Sequence, residues 1–166
     1  MSGIKDQGEK SLDKLLSTLT ATLHPDTYVF TTHASEATAP PFSACRMLFR
    51  EGPRAATAAS KEKDEDKEGD EAGGGERVTA VVTRSYAEAR GMAYLFPCEM
   101  ITLDVESSLE AVGFMAAVAA RLAGECGVGV NPVSGFWHDH LFVPEGKGGE
   151  ALGVLERLAA ERRGGA

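Results

Sequence analysis

Met100-Ile101-Thr102-Leu103-Asp104-Val105-Glu106-Ser107-Ser108-Leu109-Glu110 is the stretch whose parsing decides the fold. Apolar Ile101, Leu103 and Val105 alternate with polar Thr102 and Asp104, the period of two that marks a half-buried strand. Glu106-Ser107-Ser108 is a polar turn. Ser107 with Glu110 three residues on has the form of a capping box, so a helix is expected to open there. Leu109, Val112, Ala116, Ala119 and Ala123 follow at spacings of three and four, with Met115, Val118 and Leu122 widening the apolar face. Gly124 and Gly127 bracket the expected exit, where a left-handed cap is wanted.

Downstream, the spacing predicts strands over 128–136 and 140–143, separated by Trp137-His138-Asp139, and a closing helix over 149–162. Leu152, Leu155, Leu158 and Ala159 form that helix's inward face. Strand, helix, strand, strand, helix is most of the split β-α-β unit of ferredoxin-like domains. One closing strand is missing, so another segment must pair the open edge.

Upstream, leucines 12, 15, 16 and 19 predict a helix over 11–23, capped by Ser11 and ended by His24-Pro25. A strand is expected over 28–33, a loop over 38–41, and a second strand over 44–50 with Cys45, Met47 and Phe49 on one face. Its partner is 77–83, with Val78, Ala80 and Val82 on one side. A short helix over 85–90, capped by Ser85 and stopped by Gly91, precedes the lead-in Tyr94-Leu95-Phe96-Pro97.

The chain has 166 residues, 43% of them hydrophobic, enough for one compact domain or two very small ones. Eight acids and three lysines fall between Ser60 and Glu76, which is −5 of the net −8, so the remainder carries only −3. Residues 52–76 have no large apolar side chain and are expected to form a disordered insertion in a hairpin loop. There is no basic stripe, which argues against nucleic-acid binding, and no long apolar run, which argues against a membrane span. The polar start is unlike a secretory signal. Cys45, Cys98 and Cys126 are odd in number and irregularly spaced, as expected of reduced thiols in a cytoplasmic protein.

Two long segments carry a resemblance. Residues 101–114 and Ser134-Gly135-Phe136-Trp137-His138-Asp139-His140-Leu141-Phe142-Val143-Pro144 resemble a family of small ACT-domain proteins. These are tandem repeats related to the regulatory domains of aspartokinases and to eukaryotic arginine sensors. Tyr28-Val29-Phe30 and residues 87–91 also fit. The resemblance implies an α+β, ferredoxin-like ACT fold in tandem. Residues 1–97 would be an abbreviated first repeat carrying the insertion, with a loop at 34–43 in place of its first helix, and 98–166 the second repeat. It further implies a regulatory or sensor protein that binds a small molecule, an amino acid, and forms a homodimer without catalysis, cofactor or metal of its own. The alternatives are a small enzyme with a pocket between repeats and a pure assembly module.

The resemblance places the ligand at the strand-to-helix turn, within 104–112. Helix N-termini expose unpaired amides that hold carboxylates. The amides after Ser107 and Ser108 would take the ligand's carboxylate, with Asp104 or Glu106 receiving its ammonium group. Leu109, Val112, Gly135 and Phe136 would wall the pocket. His138 and His140, two apart, would share a metal only on one unbroken strand, and a turn stabilised by Asp139 is the plainer reading. Cys98 and Cys126 sit in no nucleophile motif. Gly127-Val128-Gly129-Val130 lacks the helix and lysine of a phosphate loop.

Overall fold

The computed structural model describes residues 8–52 and 77–165. In chain order the elements are α1 (Leu12–Thr18), β1 (Ala21–His33), β2 (Met47–Glu51), β3 (Arg77–Thr83), α2 (Arg84–Glu88), β4 (Leu95–Leu103), α3 (Phe114–Cys126), β5 (Asn131–Ser134), β6 (Asp139–Pro144) and α4 (Gly148–Gly164), with short 3-10 turns at Glu36–Thr38 and Phe42–Ala44. They form two compact units, one from residues up to Tyr28 together with 96 onward, the other from Val29–Leu95. The fold is α+β and ferredoxin-like.

In the first unit the strand order is β1-β4-β6-β5. Strand β4 pairs antiparallel with β6, from Cys98 opposite Pro144 to Leu103 opposite Asp139. The missing closing strand comes from the front of the chain. Residues 21–28 of β1 run against β4: the Asp104 amide donates to the Thr20 carbonyl at 2.8 Å, and the Cys98 thiol donates to the Tyr28 carbonyl at 3.3 Å. This pairing shortens the first helix. Ser11 caps α1 by accepting from the Lys14 amide, but α1 ends at Thr18. Residues 21–23, expected in the helix, belong to the strand. Pro25, expected to end the helix, is carried within β1.

Ile101, Leu103, Leu141 and Val143 form a buried core with Leu15 and Leu16 of α1, Val118 and Leu122 of α3, and Val154 and Leu155 of α4. Helix α4 matches its expected span to within two residues at each end, although Leu152 is only half-buried and Ala151 and Val154 face inward. Strand β5 is shorter than the expected 128–136, because Gly135 and His138 close the turn into β6 with a hydrogen bond of 2.9 Å.

The second unit holds Val29–His33 of β1, then β2, β3 and α2, in the strand order β2-β3-β1. Strands β2 and β3 pair antiparallel from Met47 opposite Val81 to Glu51 opposite Arg77. Cys45 lies outside β2, which starts two residues later. Helix α2 is capped by Thr83 rather than Ser85, the Thr83 hydroxyl accepting from the Tyr86 amide. Val29, Val82 and Ala87 form a small core with half-buried Cys45, Tyr86, Met92 and Tyr94. The expected insertion, apart from Gly52, lies outside the described residues, as do 1–7.

Candidate functional site

The turn after β4 is built differently from the capping box expected of it. Helix α3 begins at Phe114, not Ser107, and its N-cap is Gly113 at φ 88°, with no side-chain cap. A left-handed residue cannot continue a right-handed helix, so Gly113 breaks the path between Ser107 and α3. The buried face of α3 is consequently Phe114, Val118 and Leu122, four apart, and the expected Ala116 and Ala123 are exposed.

The amides expected to face a ligand are bonded within the protein. Residues 8–9 lie alongside the turn: the Glu9 amide donates to the Glu106 carbonyl at 2.8 Å, and the Ser108 amide donates to the Glu9 carbonyl at 3.0 Å. The Ser107 amide turns back onto Val105, and the amides of Glu110 and Ala111 donate to the Ser108 hydroxyl and carbonyl. The Ser107 hydroxyl donates to Asp139 Oδ2 at 2.7 Å, and Glu110 pairs with Lys10. Asp139 is only 5% exposed, so the Ser107 bond satisfies part of a buried carboxylate. Ser107 fastens the turn to the sheet instead of capping a helix.

Two hollows border this turn. A cavity of about 400 Å³ is lined by Asp104, Val105 and Glu106 on one side and by Gly8, Glu9, Lys14, Leu15 and Thr18 on the other. A smaller one of about 100 Å³ is lined by Ser107, Ser108, Leu109, Phe114 and Asp139, among others. The sequence-predicted residues are thus divided. Asp104 and Glu106 face the larger hollow, and Ser107, Ser108 and Leu109 the smaller. Val112 is 83% exposed and lines neither, nor do Gly135 and Phe136. Phe136 packs edge-on against Trp137 at 5.0 Å. Glu9 and Lys14, absent from the sequence reading of the site, complete the larger hollow. No local spacing signals them, because they come from the start of the chain.

The larger hollow is acidic. It gathers the carboxylates of Asp104, Glu106 and Glu9 against the single ammonium of Lys14. Lys14 bonds Glu9, and this bond is the main reason the Glu9 carboxyl is held below its usual range. The Thr22 hydroxyl donates to Asp104 Oδ2 at 2.6 Å, which orients that carboxylate.

A family profile described as the ACT domain matches residues 7–62. Across nearly the whole chain there is also similarity to a solved structure from Vibrio cholerae, a protein of unknown function described as a possible transport protein. The identity is 31%, over 90% of this chain and 97% of that one, with a TM-score of 0.64. The chain belongs to the ACT-domain family. An Agobacterium tumefaciens protein, 17% identical over 85% of this chain and 89% of its own, has a TM-score of 0.55. The ligand-free regulatory subunit of aspartate kinase from Thermus thermophilus, 10% identical over 83% of this chain and 95% of its own, has a TM-score of 0.53. At these identities the likeness is one of fold. No curated protein matches.

Elsewhere in this ACT protein, the histidine and cysteine candidates take structural places. His138 lies in the β5–β6 turn, while His140 lies in β6 opposite Thr102. The Thr102 hydroxyl stands between two imidazoles, 2.8 Å from His24 Nε2 and 3.0 Å from His140 Nδ1. Among the described residues no group of three or more His, Cys, Asp or Glu suits a metal ion, and no helix is long and apolar enough to cross a membrane. Cys98 is fully buried, and burial with the nearby Glu145 charge pushes its thiol up to about 12. A thiol so protonated is a poor nucleophile at neutral pH. Burial raises Cys45 and Cys126 as well.

Proposed function

We propose that this ACT protein is a regulatory sensor that binds an amino acid in the 400 Å³ hollow beside the 104–106 turn. The carrying observation is the charge of that hollow, three carboxylates to one ammonium. An excess of negative charge suits the ligand's ammonium group, which would sit between Asp104 and Glu106. Lys14 would share itself between Glu9 and the ligand's carboxylate, and Leu15 and Val105 would border a short side chain. The carboxylate is thereby assigned to Lys14 rather than to the amides after Ser107, which the protein itself uses. Such a ligand would join α1 to the turn after β4 and would favour whichever arrangement binds it more tightly. The ACT fold shared with an aspartate kinase regulatory subunit supports the regulatory reading. A cytoplasmic homodimer fits the same reading, with a short edge strand such as β5 left to be paired.

Titration calorimetry against the proteinogenic amino acids tests this. One should bind saturably, and Glu106→Gln should weaken it at least tenfold, about 1.4 kcal/mol. Glu106 is exposed, so the fold should be unchanged. Absence of binding by any amino acid, or equal affinity in Glu106→Gln, would overturn the assignment. Light scattering that finds only monomer at high micromolar concentration would overturn the dimer.

A further inference from the structure

The second unit contains a hollow of its own, about 470 Å³, between the end of β1 and the segment after α2. Its chemistry is the reverse of the first. Arg90 and His33 line it together with threonines, alanines, prolines, Tyr86 and Met92, and no acidic residue does. Pro40, which is buried, with Pro41 and half-buried Met92, makes a rigid apolar wall.

Arg90 is held in place without being neutralised. Its guanidinium carbon lies 3.7 Å from the centre of the Tyr86 ring. Stacking on an aromatic face leaves the edge of the planar fork free to donate in its own plane. Glu88, two residues away, accepts from the Tyr94 hydroxyl at 3.1 Å, and among the described residues no carboxylate pairs with Arg90. His33 is also set. The Thr31 hydroxyl gives its one proton to the Ala80 carbonyl at 3.2 Å, so His33 Nε2, 3.0 Å from the same oxygen, must be the donor between them. Among the described residues no bond is made to the other ring nitrogen, which in the neutral ring is an acceptor.

A pinned arginine fork, a lining without acids and a proline-methionine wall describe a receptor for a small monocarboxylate with a compact apolar body. We propose that this hollow is a second binding site of that class, distinct in residues and in charge from the amino-acid site of the first unit. Arg90 would bind the carboxylate through two parallel N–H···O bonds, and Pro40, Pro41 and Met92 would cover the hydrocarbon part.

The test is amide chemical-shift titration of the full chain with isovalerate, with isovaleramide as the neutral control and inorganic phosphate as the competing anion. Isovalerate should shift the amides of His33, Thr38 and residues 90–93 saturably, and isovaleramide should not. Arg90→Gln should weaken binding at least tenfold, about 1.4 kcal/mol, while amides remote from the hollow stay in place. Arg90→Lys, which keeps the charge and loses the fork, should fall between. No saturable shift at those amides, shifts unchanged in Arg90→Gln, or phosphate binding as tightly as isovalerate would overturn the proposal. The amides of residues 104–106 report the other hollow, so failure of one site is read separately from failure of the other.

Discussion

The two hollows differ more in charge than in size. One holds Asp104, Glu106 and Glu9 with a single lysine, and the other holds Arg90 and His33 with no acid. The net charge of −8 describes neither of them. What selects a ligand is the sign of the few groups that converge on a concave surface, where fields are focused. The two hollows also differ in what lies beneath them. Leu15, which lines the first, belongs to the extensive core of α1, α3, α4 and the sheet. Tyr86, which lines the second, packs on the small cluster of Val29, Val82 and Ala87.

The strongest way to break this contrast is to hollow out the larger core. Leu122→Ala removes a fully buried side chain from α3 and should cost about 2–5 kcal/mol of stability in urea unfolding. Tyr86→Ala, which is only half-buried, should cost less and should show itself chiefly as lost isovalerate binding, because Arg90 loses its platform. Equal losses of stability would erase the distinction between the two cores.

Next in size is the lock between Ser107 and Asp139. Ser107→Ala leaves a buried carboxylate short of a donor and should cost about 1–3 kcal/mol, measured by thermal melting. Isovalerate binding at the second hollow should be untouched. A comparable effect is expected of Gly8→Ala. A Cβ there would collide with the backbone of Ser107 and Ser108, so the 8–9 segment must move off the turn, at about 1–3 kcal/mol. Amino-acid binding should fall with it, and unchanged binding would separate that segment from the first hollow.

Smaller effects are carried by pH. Cys98 has its folded-state pKa raised from 9.0 to about 12. Its contribution is complete below pH 9 and should be lost as the pH climbs from about 9 towards 12. Melting over that range with Cys98→Ser as the reference checks this; coincident pH profiles would contradict it. Glu9 shifts in the other direction. Its carboxyl is lowered from 4.5, chiefly by the Lys14 hydrogen bond. The small stabilisation it gives the first hollow is therefore present above pH 4.5 and fades as the pH falls below it. Nuclear magnetic resonance titration of the Glu9 carboxyl should show the depressed midpoint, and Lys14→Gln should return it towards 4.5. The second hollow, lined by no carboxylate, should show no counterpart.

Elements whose partners lie close in the chain, or whose pattern admits one answer, were legible in the residues themselves. Strand β3 spans Arg77–Thr83 as its β-branched run predicts, and its partner β2 follows across the hairpin. Helix α4, with its regular apolar face, appears where expected. The ferredoxin-like order and the need for an extra closing strand also followed from pattern alone. Which segment closes the sheet did not. Residues 21–23 suit a helix or a strand equally, and pairing with β4, some 80 residues away, chooses the strand. The same holds for the turn after β4. Ser107 had a local partner in the amide of Glu110 and a distant one in Asp139. Burial of Asp139 favours the distant bond, since a buried carboxylate without donors costs more than an uncapped helix end in water. Of the expected site, Asp104 and Glu106 line the hollow from the turn itself, while Glu9 and Lys14 arrive from about 90 residues away. Sequence spacing reports neighbours along the chain. Tertiary structure alone decides which charges share one concave surface, because that depends on how the N-terminal helix packs and not on any local pattern.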